Sequence, residues 1–550
     1  MESILKDDYK FESLTTLHLF SSVKDGVAQI GDIQFIYIFI SIAVLILLIA
    51  SVNYVNLATA KSLTRAKEVG VRKVTGANKF QLISQFLGES ILLSSLSYVL
   101  AVLIIELILP YIKTVFEIAL TFSPLTDINF FLTGFVISIL VGIIGGLYPA
   151  LFLSRFNPIK ALRSASSVKA GSGIIRKSLV TFQIIIFSGL LLCTYIIYSQ
   201  MQYVQNKNLG LEKDQRFIVQ IRDPYVYQNA NALKDEVLQL SGVQAASLSK
   251  SVPTRSNNRY TVQPDQSEDQ IWITNYRIDK NFINTLGLEI LKGNNLINST
   301  GQVRSALINE AAADALGWEN PIGRILPKTD KLGNGEEVEI EYKVTGIVKN
   351  FHYESLKEEI APAFLLPLLD EKGYYLIVKT HGSQIKDVLE STGYIWQDFS
   401  QEYSFEYFFL DDAFAKLYQQ EQRIANLFNI FTVIALIISI LGLFSLTAYT
   451  VKRRTREIGI RKVLGATIWS VFGLISKDFI KLTVIGFIIA APIAWYTMNS
   501  WLAEFAYRID ISAWIFVLTG LTTLFIAIIT VGWQTIRAAL SNPVESLRSE

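Results

Sequence analysis

The sequence predicts a mainly α-helical integral membrane protein, with about seven spanning helices in two repeats and one large extracytoplasmic α+β domain. Three observations carry that prediction. The 550 residues are 51% hydrophobic and 18% charged, against about 25% charged in soluble domains, and mean hydropathy is +0.36. Long apolar runs nearly free of charge recur along the chain. Two motifs return in the same order at nearly constant spacing.

A helix needs roughly 20 apolar residues to cross the hydrocarbon core. The runs at 35–60, 90–112, 128–153, 178–204, 424–451, 482–502 and 511–536 reach or approach that length. Glu106, close to the end of the second run, is the charge found within them and reads as a carboxylate at the lipid–water boundary. Basic residues gather in three connections. Residues 61–85 carry Lys61, Arg65, Lys67, Arg72, Lys73 and Lys79 against Glu68. Residues 154–177 carry Arg155, Lys160, Arg163, Lys169, Arg176 and Lys177 without an acid, and residues 452–481 carry eight basic residues against Glu457 and Asp478. The connections 113–127 and 503–510 are poor in Lys and Arg. The positive-inside rule therefore places the basic connections and the C-terminus in the cytoplasm, and residues 205–423 and 1–32 outside.

The run from Arg65 to Ala77 (RAKEVGVRKVTGA) returns from Arg454 to Ala466 (RTREIGIRKVLGA), an offset of 389. Asn157 to Arg163 (NPIKALR) returns from Asn542 to Arg548 (NPVESLR), an offset of 385. The chain reads as a duplication. A three-helix unit spans 33–165, a single helix 178–204, the outer domain 205–423, and a second three-helix unit 424–550. Residues 1–32 fill the place of the end of an outer domain. The simplest reading is that the first helix and most of the first outer domain are absent from this chain.

The outer segment mixes strand-like runs at 216–221, 337–348, 374–379 and 403–410 with helix-like segments at 309–316 and 383–399. Asn309 fits an N-cap and Gly317 a stop. Cys193 lies alone in an apolar run, and His18, His352 and His381 lack metal-ligand spacing. A net charge of +2 argues against a general nucleic-acid binder.

Mechanism points to the first repeated motif. Glu68 and Arg72, like Glu457 and Arg461, stand four apart and share a helix face. Lys73 and Lys462 extend the basic side, and Gly76 and Gly465 can end the helix. Anchoring needs basic residues in any order; it does not need the same Glu-x-Gly-x-Arg-Lys-x-x-Gly-Ala run twice. Such an element, continuous with a spanning helix, can pass a push between a cytoplasmic partner and the membrane.

With these residues the chain resembles the MacB/FtsX-type ABC permeases, also called type VII or mechanotransmission transporters. The segments 309–323 and 344–356 of the outer domain and the Asn-Pro-x-x-x-Leu-Arg tails look like the same family. The resemblance implies two FtsX-like units and an extracytoplasmic domain of the MacB core type. It implies that Glu68, Arg72, Lys73 and Gly76 form one ATPase-docking element and Glu457, Arg461, Lys462 and Gly465 the other. Two copies of a separate ABC ATPase would be served around a pseudo-two-fold axis. ATP and Mg are expected on that partner, since no Gly-x-x-x-x-Gly-Lys-Ser/Thr run occurs and the cytoplasmic connections are too short for an ATPase. No cofactor and no catalytic residue is expected in this chain, which is read as not itself an enzyme. The family places it in the bacterial cytoplasmic (inner) membrane, with membrane lipid around it and a periplasmic or outer-membrane partner compatible with it.

The leading function is export of a drug, peptide or lipid-linked substrate driven by ATP hydrolysis on the partner. The alternative is an FtsX-like signalling subunit that activates an extracytoplasmic partner without transport. Substrate-stimulated ATP hydrolysis separates the two. A secondary transporter with inverted repeats fits poorly, because the repeats here share one topology and the spans lack ionisable mid-membrane groups.

Overall fold

A computed structural model describes residues 33–64, 66–116, 123–154, 171–255, 258–263, 270–297, 303–331, 337–369, 372–400 and 402–540. The expectations for residues 1–32 and for both Asn-Pro tails lie outside these described residues. The chain separates into two compact units. One takes the chain up to Ile197, Ala425–Met498 and the chain from Ile511 on; the other takes Tyr198–Ile424 and Asn499–Asp510.

The first unit is helical. In chain order it uses α1 (Ile33–Thr64), the short α2 (Ala66–Val74), α3 (Lys79–Phe116), α4 (Ile128–Ser154) and the start of α5 (Gly171–Asn206). Seven helices among the described residues are long and apolar enough to cross a membrane, at Ile36–Ala58, Lys79–Thr114, Ile128–Leu147, Lys177–Asn206, Gln419–Lys452, Ile468–Leu502 and Ala513–Arg537. The second and sixth begin well before the apolar runs at 90–112 and 482–502. Their first turns carry Gln81, Ser84 and Gln85, or Lys477, Asp478 and Lys481, among apolar residues, so they are amphipathic helix rather than pure span. Small residues set the packing of α4. A Cβ on Gly142 would fall 2.9 Å from Ile91 Cα of α3, and one on Gly145 would fall 2.8 Å from Tyr54 Cδ1 of α1. Glycine there lets the helices approach where no apolar force separates protein from lipid. Glu106 accepts from Ser123 Oγ at 3.0 and 3.1 Å, at the α3–α4 connection. That contact fits a boundary carboxylate.

The second unit is a mixed α/β domain. Its strands are β1 (Arg216–Gln220), β2 (Val243–Ser249), β3 (Arg259–Val262), β4 (Ile271–Ile278), β5 (Ile290–Gly293), β6 (Val303–Asn309), β7 (Ile325–Lys331), β8 (Glu337–Val348), β9 (Ala363–Pro367), β10 (Tyr375–Thr380) and β11 (Tyr407–Phe409). They form one sheet in the order β11-β1-β10-β2-β4-β9-β6-β8-β5, with β3 on β4 and β7 on β8. Pairing is antiparallel except for β4–β9 and β6–β8, which are parallel. The helices α6 (Pro224–Gln228), α7 (Ala230–Leu238), α8 (Phe282–Leu286), α9 (Glu310–Ala315), α10 (Ile385–Phe399) and α11 (Leu410–Lys416) complete it. α7 and α10 cover Phe217, Val219, Leu248, Leu376 and Val378 with Leu233, Val237, Val388 and Trp396. Asn309 caps α9 by accepting from Ala312 N at 2.9 Å, and Gly317 follows at φ +67°. The strand expected over 403–410 shrinks to Tyr407–Phe409, because Leu410 turns inward and opens α11.

After α11 come α12 (Gln419–Arg453), α13 (Thr455–Val463), α14 (Ile468–Leu502) and α15 (Ala513–Leu540). These repeat the order α1, α2, α3, α4.

Candidate functional site

The two copies of the repeated motif fold alike, as the short helices α2 and α13. The helices that follow start within a few residues, at Lys79 and Ile468. Each short helix stops by the same device. Gly76 N–H donates to Lys73 O (3.2 Å) and Ala77 N–H to Arg72 O (2.9 Å); Gly465 N–H donates to Lys462 O (3.0 Å) and Ala466 N–H to Arg461 O (2.9 Å). This is the paired-bond C-cap in which the residue after the helix turns left-handed. Gly76 stands at φ +100° and Gly465 at φ +90°. Most residues with a Cβ would be strained there by about 1–2 kcal/mol. The Arg-Lys pairs thus fall in the last turn, where cations complement the helix dipole.

Within this shared frame the arginines reach acceptors on their own helix or on the next one. Arg461 donates to Glu457 Oε1 at 3.0 Å, the expected pair one turn apart. Arg72 donates to Gln85 Oε1 of α3 at 2.7 Å, while the side chain of Glu68 lies outside the described residues. The Lys73 ammonium is held below the ordinary lysine value, first by partial burial and then by the charge of Lys79.

Each element has an inner and an outer apolar face, matched at the offset of 389. Val69 and Ile458 are buried against Leu82 and Val471 respectively. Val71, Val74 and Phe80 are exposed in the first copy, and their equivalents Ile460, Val463 and Trp469 are exposed in the second. Phe80 and Trp469 are 79% and 75% exposed. Leu464, also exposed, replaces Thr75. Sequence reasoning singled out the charges and missed this outer face. Its signal was in the alignment of the copies, which keeps an aromatic residue at 80 and 469 outside the quoted motif.

A second arrangement the sequence did not reveal lies in the α/β unit, which holds three chain segments continuous with spanning helices. Gln200 of α5, fully buried, donates through Nε2 to Tyr507 O (3.0 Å) and accepts through Oε1 from Ile509 N (2.9 Å). The segment 352–357 completes the joint. Leu356 O and Lys357 O accept from Tyr507 N and Ala506 N (3.2 and 3.1 Å), Leu356 N donates to Tyr418 Oη (2.6 Å), and Lys357 pairs with Glu421 at 2.5 Å. The His352 ring stands edge-on to Tyr507 at 4.6 Å.

Burial, and then the charge of Lys207, bring the pKa of His352 down from 6.5 to about 4. An opened joint returns the ring to its ordinary value. As pH falls below about 6.5 the open form takes up a proton first, so the joint loses stability between pH 6.5 and about 4 and is unaffected above that window. Amide exchange over 350–358, corrected for its intrinsic pH dependence, is expected to be several-fold faster at pH 5 than at pH 7. His352→Gln should flatten that difference; an unchanged pH dependence in the variant would assign it to another group.

Among the described residues no cluster of His, Cys, Asp and Glu could hold a metal ion. The pattern of the family described as "FtsX-like permease C-terminal" matches residues 40–158 and 429–543, the two helical repeats. The macrolide export ATP-binding/permease protein MacB of Bdellovibrio bacteriovorus is 32% identical over 123 residues, 22% of this chain and 18% of that protein. The pyoverdine export ATP-binding/permease protein PvdT of Pseudomonas fluorescens is 32% identical over 124 residues, with the same shares. The match thus spans under a fifth of the length of these curated relatives. Among solved structures, the extracellular domain of the noncanonic ABC-type transporter YknZ from Gram-positive bacteria aligns at 16% identity and TM-score 0.23, covering 35% of this chain and 98% of that domain.

Proposed function

We propose that the chain, a multi-pass membrane protein whose two helical repeats match the FtsX-like permease pattern, is a MacB-type permease and the membrane-spanning subunit of an ABC exporter whose ATPase is a separate polypeptide. The observation that carries this reading is the pair of matched elements. α2 and α13 share a cap, a basic last turn and an exposed apolar face at one constant offset. A partner that meets both faces alike must itself present one surface twice, as a two-fold ATPase dimer does. Arg72, Lys73, Arg461 and Lys462 supply the basic complement to an acidic groove, and Gly76 and Gly465 fix the angle at which each element leaves the membrane helix.

In this reading the basic connections and the C-terminus face the cytoplasm of a bacterial inner membrane, and the α/β unit faces outside. ATP-driven closure of the partner moves α2 and α13, and the spanning helices carry that displacement to the segments gathered by Gln200 and 352–357. The exported molecule is of the drug, peptide or lipid-linked kind.

Affinity purification from native membranes tests the assignment. An ABC ATPase is expected to come with the wild-type chain and to be lost from the Arg72→Glu/Arg461→Glu variant, with membrane insertion unchanged. An ATPase retained equally by the variant removes the docking role of these residues.

A further inference from the structure

Polar side chains lie buried where α1, α5 and α12 meet. Asn53 of α1 and Gly442 of α12 are equivalent positions of the two repeats, and Gln183 of α5 reaches toward both helices. Its Nε2 donates to Ile49 O at 3.2 Å. A Cβ on Gly442 would fall 2.6 Å from its Oε1, so glycine makes room for the amide. Gln183 is 1% exposed, and its Oε1 has no hydrogen-bond partner among the described residues.

The same holds for the neighbouring face of α1. At roughly 100° per residue, Asn53 and Asn56 fall about 40° and 20° to either side of Ile49, so both asparagines share the face that Gln183 meets. Tyr54 points the other way and donates to Ser90 Oγ at 2.8 Å. Asn53 and Asn56 are 7% and 3% exposed; Asn53 Oδ1 and both polar atoms of Asn56 are without hydrogen-bond partners among the described residues. Ser439 Oγ, three residues before Gly442 on α12, is a further buried group of this kind.

In hydrocarbon, water is not at hand to satisfy such groups, and buried donors and acceptors are as a rule paired. Unpaired amide and hydroxyl groups on three adjoining helices form a recognition surface. We propose that this junction is an intramembrane binding site for an uncharged hydroxyl or amide group carried on an otherwise apolar molecule. The site offers donors and acceptors together, as such a group requires. No charged residue occurs in 33–60, 178–204 or 424–451, so a charged group would find no counter-ion. The walls are apolar, with Ile49, Ile184 and Leu443 buried beside the amides. The inference rests on these helices spanning a membrane and not on the docking of an ATPase, so either can fail alone.

The full chain in membrane vesicles, with Cys193→Ala and Asn56→Cys, is labelled with N-ethylmaleimide. 1-Octanol is expected to slow labelling at least three-fold, whereas n-octane and octylammonium leave it unchanged. Leu103→Cys, exposed on α3 away from the junction, reports general effects of the alcohol and should not respond. Adding Gln183→Leu should abolish the protection while the protein still elutes as the wild type does. Equal slowing by n-octane, no slowing by 1-octanol, or protection that survives Gln183→Leu would each overturn the site. Labelling seen only after denaturation would show the junction sealed, with the same consequence.

Discussion

Phe80→Asp combined with Trp469→Asp is expected to weaken retention of the partner ATPase at least 100-fold while leaving the amount of folded protein in the membrane unchanged. Both side chains are more than 70% exposed, so their removal uncovers almost no packed surface. Folding is guided instead by the inner residues Val69 with Leu82 and Ile458 with Val471, which the substitutions do not touch. At an interface, by contrast, a central aromatic anchor truncated to a small residue costs about 2–4 kcal/mol, and each 1.4 kcal/mol is about a factor of ten. An aspartate facing an acidic groove adds repulsion. Each single substitution should have a much smaller effect, because the other element still holds the same dimer and rebinding is then intramolecular. Trp469 should matter more than Phe80, since Leu464 widens the apolar face beside it where the first copy has Thr75. The measurement is the ATPase recovered per chain after purification, with membrane insertion followed in parallel. A mere interfacial lipid anchor would lower insertion and leave ATPase recovery per inserted chain unchanged, and that outcome would remove these residues from the docking face.

Gln200→Leu is expected to leave docking intact and to disconnect hydrolysis from the outer unit. The amide of Gln200 bridges α5 to both Tyr507 O and Ile509 N. Leucine fills a similar volume, yet leaves a partly buried carbonyl and amide unpaired, a cost of about 1–3 kcal/mol. Exchange of the Ile509 amide should accelerate roughly 10- to 100-fold. Gln200→Glu keeps an acceptor for Ile509 N and loses the donor to Tyr507 O, so it should fall between wild type and leucine. With the ATPase bound, ATP hydrolysis should continue while its response to transported substrate is lost. Normal substrate response together with fast exchange at Ile509 would mean that the joint stabilises the domain without transmitting the stroke.

Charge and apolar run length, read in order, were enough for the membrane helices, because lipid imposes a one-dimensional rule on sequence: a span must be long, apolar and internally hydrogen-bonded. The duplication was equally legible, since RAKEVGVRKVTGA and RTREIGIRKVLGA compare letter by letter. So were the helix stops at Gly76 and Gly465, because a left-handed C-cap is a local property of a few residues. The α+β character of 205–423 followed from local pattern, but the strand order of the sheet did not. Pairings such as β4 with β9 join residues about 90 positions apart, and local pattern carries no address for them.

Tertiary structure alone decided which side of each short helix, α2 and α13, is exposed. Val69 and Val71 are the same residue two positions apart, one buried under Leu82 and the other exposed, and composition treats them alike. It also decided that Arg72 meets Gln85 of α3, an acceptor the second copy lacks, because the equivalent position there is Leu474. Gln183, Gln200, Asn53 and Asn56 looked like ordinary polar residues in apolar helices. Their meaning depends on burial and on what stands opposite, and both are set by helices that come together from distant parts of the chain.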